Sequence, residues 1–88
     1  MDVIFNGRVC VLKKEKYRKG GAAIRLFDTL DETPVATASV WIEGLAPDEI
    51  AIKDYSENTG MLISLVAAGV VSRPHRVHNG FPIVKLEK

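Results

Sequence analysis

KDYSENTGMLISLVAAG, residues 53–69, is the stretch that decides how the chain reads. Asp54 stands where a helix N-cap belongs and Glu57 follows three residues later. That spacing is a capping box, in which each side chain accepts from an otherwise orphaned backbone N–H. Both acids also suit the positive end of the helix dipole. Asn58, Met61, Leu62, Leu65, Val66 and Gly69 recur at intervals of three and four. The pattern predicts one amphipathic helix with Met61, Leu62, Leu65 and Val66 as its buried stripe, ended by Gly69 at the left-handed C′ position. Gly60 falls in the second turn, where glycine costs about 1 kcal/mol relative to alanine. The expectation is that the sheet approaches the helix backbone closely there.

A single helix of this kind needs a sheet to cover, and the flanking sequence supplies one. Arg8–Leu12 is rich in β-branched residues and follows Asn6-Gly7, a hairpin signal, with Val3–Phe5 as a short strand or extended lead-in before it. Ala22–Phe27 reads as a strand and Asp28–Pro34 as a polar turn. Val35–Ile42 is the best strand: Ala36, Ala38, Val40 and Ile42 share one face, and Thr37, Ser39 and Trp41 share the other. The small alanines predict that the helix packs against that face. Glu49–Lys53 is a short strand with Ile50 and Ile52 on one side. Beyond the helix, Val70-Val71 extend briefly, His75–Gly80 is a turn-rich connection and Pro82–Glu87 closes the chain as a strand. The expected architecture is a single α+β domain over residues 1–88, a mostly antiparallel sheet of about five strands with one helix on one face, in the order β-β-β-β-α-β.

Composition narrows the functional classes. Hydrophobic residues make up 47% of the 88 and charged residues 26%, as in an ordinary soluble globular domain. No apolar run approaches the roughly 18 residues of a membrane span, and MDVIFNGRV does not read as a signal peptide. The single cysteine, Cys10, lies between two valines and reads as a buried, inert thiol of a reducing cytoplasm. Both histidines lie in RPHRVH, spaced H-x-x-H, but Pro74 and Asn79-Gly80 argue against a helix there and no third ligand lies nearby. No metal site is expected. There is no nucleophile elbow and no phosphate-cradling glycine loop, so neither enzyme activity nor a cofactor is expected.

Two features remain for binding. KKEKYRK, residues 13–19, holds five basic residues and one acid, while the other seven basic and ten acidic residues leave the rest of the chain at −3. Lys13, Lys14, Lys16, Arg18 and Lys19 in such a loop can meet phosphates or an acidic protein, and Tyr17 can stack on a base. Trp41, on the polar side of its strand and near Tyr55 at the helix start, is the second candidate, since an exposed tryptophan marks interfaces. Covering of Trp41 by the N-terminal segment, a core layer or a second copy in a homodimer is the other reading. The Trp41 face and the basic loop are expected to be separate surfaces.

NGRVCVL, ATASVWI, KDYSENTGMLISLVAAGVV and RVHNGFPIVKLEK together resemble small proteins of unassigned activity encoded by bacterial phages and conjugative elements. In those a strand ends in a K-x-aromatic-S-E-N-x-G helix start and an aliphatic helix leads to a GF-containing last strand. The resemblance implies a non-enzymatic module that binds a host or defence protein, such as a host-takeover factor or an anti-CRISPR-type inhibitor. The alternative, read from the residues, is a small nucleic-acid-binding accessory protein using residues 13–19.

Overall fold

A computed structural model describes residues 2–87. Among these residues eight strands form two sheets. The first holds β1 (Asp2–Phe5), β2 (Arg8–Lys16), β3 (Ala22–Asp28) and β4 (Pro34–Thr37), each antiparallel to the next. The second holds β5 (Ser39–Val40), β6 (Glu49–Ile52), β7 (Arg76–His78) and β8 (Phe81–Lys85), in the spatial order β5-β6-β8-β7 and again antiparallel. The α+β class and the antiparallel pairing agree with the sequence. The single sheet of about five strands does not.

The division falls inside the segment expected to be one strand. Ala38, fully buried, donates its N–H to Ile24 of β3 at 2.9 Å, and its carbonyl accepts from Lys53 N–H at 2.9 Å. One residue thus bonds to both sheets, and the chain passes from β4 to β5 at that pivot. The alternation on which Val35–Ile42 was read therefore breaks. Ser39 is buried rather than facing water, and Trp41 lies beyond the end of β5. The small side chain at Ala38 accommodates the junction of two sheets. The second difference is β7, where the expected turn-rich connection pairs with β8 across Asn79-Gly80. Like Asn6-Gly7 between β1 and β2, that pair has both φ values positive, 52° and 82°, as a type I′ hairpin turn requires.

The expected helix is interrupted. Ser56–Asn58 form a 3₁₀ turn, Gly60 turns left-handed at φ +93°, and the α-helix proper, α1, runs only over Met61–Ala67. Asp54 does cap it, but from eight residues upstream: its Oδ1 accepts the N–H of Leu62 at 2.9 Å. Glu57 does not complete a capping box; it takes the ammonium of Lys53 at 2.6 Å instead. Asn58 is buried, and its amide donates to the carbonyl of Thr37 at 2.8 Å, tying the 3₁₀ turn to the end of β4. An ideal Cβ on Gly60 meets nothing within 4 Å. The glycine is therefore required by the backbone angle between the two helical pieces and not by a close neighbour, which corrects the sequence reading. The C-terminal expectation holds: Gly69 N–H bonds Val66 and Val70 N–H bonds Leu65, the paired bonds of a Schellman motif.

Met61 and Leu65 are fully buried, with Leu62 and Val66 packed at the margin. They join Val3, Phe5, Cys10, Ile24 and Leu26 of the first sheet and Ile50, Ile52 and Val84 of the second in one core. Each large aliphatic side chain removed from water there contributes about 1.5–3 kcal/mol. Among the described residues no helix is long and apolar enough to cross a membrane.

Candidate functional site

The basic segment is not a loop. Lys13–Lys16 belong to β2, and only Tyr17–Gly21 turn toward β3. Strand alternation sends Lys13 and Glu15 to one face and Lys14 and Lys16 to the other. The Lys13 ammonium stands 4.6 Å from the centroid of Phe27, and Glu15 pairs with Arg25 at 3.6 Å. The strand cations therefore divide between two faces, Lys13 on one and Lys14 and Lys16 on the other. Tyr17 is half-buried and its hydroxyl hydrogen-bonds the Ser39 hydroxyl at 2.7 Å. Ser39 Oγ in turn accepts Ile24 N–H at 3.0 Å. That chain of bonds uses the tyrosine to fasten the β2–β3 turn to the second sheet.

At the far end of this turn the two candidate features meet. Lys19 Nζ lies 4.7 Å from the centroid of Trp41, a cation–π contact between residues expected on separate surfaces. Both line an open cleft of about 720 Å³ between the β2–β3 turn and the loop following β5. Ile42, Leu45 and Pro47 are among the residues of its apolar wall, and Val40 brings the edge strand β5 to its side. Tyr55 does not line it: half-exposed, that ring tilts against Phe81 at 6.2 Å and carries Lys53 at 5.6 Å.

The loop that walls the cleft is held from below by residues whose role the sequence hid. Glu49, at the start of β6, is nearly buried, and its carboxylate accepts four hydrogen bonds. Arg76 donates from Nη2 at 2.6 Å and from Nε at 3.0 Å, Ala46 N–H at 2.9 Å and His75 Nε2 at 2.6 Å. The Arg76 guanidinium, then the Ala46 N–H and the His75 ring hold this carboxyl well below the usual carboxylate range. Glu49 N–H bonds back to the Ala46 carbonyl at 3.0 Å, closing the loop on itself. His78 Nε2 donates to the Glu43 carbonyl at 3.1 Å, which fixes its tautomer. The two histidines of the H-x-x-H pair thus brace one loop through different partners. Among the described residues no group of three or more His, Cys, Asp or Glu is placed to hold a metal ion.

A second feature escaped the sequence reading. The segment MLISLVA of α1 contains no charged residue, and its outer side leaves Ile63 75% exposed beside Ile4 of β1, 66% exposed. Val9, paired with Ile4 across β1–β2, is also exposed. The helical spacing showed the buried stripe but not that the opposite side lacked charge; the run of fifteen uncharged residues from Asn58 to Ser72 was the available signal. Comparison with protein-family models, with curated proteins and with solved structures found no match for this chain.

Proposed function

We propose that the protein is a non-enzymatic module that binds another protein through the cleft beside Trp41. The observation that carries this reading is the convergence of Trp41 and Lys19 on one open depression of mixed polar and apolar lining with a braced wall. A large aromatic at the centre of such a surface, ringed by polar groups, is the usual composition of an energetic hot spot. The bracing of residues 43–49 by Glu49, Arg76 and His78 supports it too, because a pre-formed wall lowers the ordering cost of association. The resemblance to phage and conjugative-element proteins directs the proposal toward a host or defence protein as partner, with the module acting as an inhibitor in the cytoplasm. The nucleic-acid alternative is the weaker one, since the lysines of β2 divide between two faces and Tyr17 is held by Ser39.

The test is affinity for a partner purified from bacterial lysate, measured with variants first shown to be folded by circular dichroism. Truncating a central anchor costs about 2 kcal/mol or more, roughly thirtyfold in affinity. Trp41→Ala is therefore expected to abolish or nearly abolish binding with little change in salt sensitivity, and Lys14→Ala/Lys16→Ala/Arg18→Ala to weaken it and flatten its salt dependence. A folded Trp41→Ala variant that binds normally, beside a charge variant that does not, replaces this reading with binding of nucleic acid or another acidic ligand through residues 13–19.

A further inference from the structure

Resting on that reading, we infer that the Trp41 cleft takes an extended acidic peptide segment carrying an aliphatic anchor. The apolar wall of Trp41, Ile42, Leu45 and Pro47 suits an aliphatic side chain. The charges around it select the sign of the rest. Lys19 forms no ion pair among the described residues and stands at the mouth, over the indole. Arg18 precedes it, and Lys16 lies in register opposite Ala22, another residue of the cleft. Of the two carboxylates in the lining, Glu49 is neutralised by Arg76, leaving Glu43 and Lys19 as the remaining charges of the lining, with Arg18 and Lys16 beyond its turn-side edge. A segment bearing carboxylates gains at Lys16, Arg18 and Lys19, and a basic one meets like charge. The extended form follows from β5: its Val40 borders the cleft at an edge of the second sheet, the kind of edge along which peptides lie.

Trp41 is the only tryptophan, so its fluorescence reports occupancy of the cleft directly. The titrants are three: an acetylated peptide of sequence EELDE, its charge-reversed partner KKLKK, and decanoate as a small amphipathic carboxylate. The acidic peptide is expected to give a saturable change in emission, weakened by salt. Lys19→Ala is expected to raise its Kd about tenfold or more, as for loss of a charge-assisted contact. The basic peptide and decanoate are expected to give no saturable change. The inference is overturned if EELDE gives none, if KKLKK binds as well, if decanoate binds as tightly as EELDE, or if Lys19→Ala leaves the Kd unchanged. Should EELDE fail while Trp41→Ala still abolishes binding of the purified protein partner, only the acidic-segment inference falls and the protein-binding reading stands.

Discussion

Replacing Gly60 separates two physical explanations that give the same sign for one substitution and opposite signs for another. Gly60 has φ +93° and ψ −3°, and space for a Cβ is open to 4 Å. An L-residue forced into the left-handed region loses about 1–2 kcal/mol, while the narrower unfolded state of alanine returns about 0.4–1 kcal/mol. Gly60→Ala should therefore destabilise the protein by up to about 1.6 kcal/mol, a fall in Tm of up to about 13 °C for a domain of this size. Gly60→Asn should lose less, because asparagine tolerates positive φ. D-alanine at the same position, introduced by chemical ligation, has the opposite handedness and should raise stability by about 0.4–1 kcal/mol. Urea and thermal melts of the four proteins make the comparison. If D-alanine destabilises as much as L-alanine, the position is crowded and the backbone-angle explanation is refuted; an L-alanine variant more stable than the parent refutes it as well.

The remaining expectations concern the core, the clamp and the thiol. Leu65→Ala empties a fully buried site and should cost about 2–5 kcal/mol in a denaturant melt, whereas Ile63→Ala on the exposed side of α1 should stay within about 0.5 kcal/mol. Because the Glu49 carboxyl is held below its unfolded value, its stabilising contribution is complete above the ordinary value near about 4.3 and is lost as the pH falls below it. Glu49→Gln should accordingly be less stable than the parent in melts at neutral pH, with the gap closing as the pH is lowered through 4 toward 2.5 (both about). Cys10 is fully buried and burial pushes its thiol pKa up, so alkylation at pH 8 (about the lower edge of thiol ionisation) should be slow in buffer and rapid in denaturant. Rapid alkylation of the folded protein contradicts that placement.

Local patterns in the sequence are legible where one residue type has one physical use. Asn6-Gly7 gave its hairpin turn, Asn79-Gly80 a turn though not the strand β7 before it, Gly69 its helix end, and Met61, Leu65 and their neighbours the buried stripe. What stayed hidden depends on contacts far apart in the chain. Ala38 reads as one more alternating residue, because its bonds to Ile24 and Lys53 exist only once both sheets are assembled. Asp54 reads as the cap of the turn next to it, because the backbone reversal at Gly60 that carries it to Leu62 leaves no local mark beyond the glycine itself. The candidate site divides in the same way. Trp41 and Lys19 were each visible as residue types suited to binding, but their meeting depends on the chain crossing from β4 to β5. Glu49, His75, Arg76 and His78 drew no attention as a unit, since 26 to 27 residues separate Glu49 from the first two of its partners.

The cleft as a protein-binding surface is tested most directly by site-specific photo-crosslinking in bacterial cells. A benzophenone amino acid placed at Leu45, in the cleft wall, is compared with the same group at Ile63 on α1 and at Val77 on β7, both exposed and both outside the cleft. A discrete adduct with one protein from Leu45, absent from Ile63 and Val77 and lost when Trp41→Ala is combined with it, is the result expected. The same adduct from Ile63 or Val77 with none from Leu45, or a Leu45 adduct indifferent to Trp41→Ala, would place the partner elsewhere on the molecule and contradict the account.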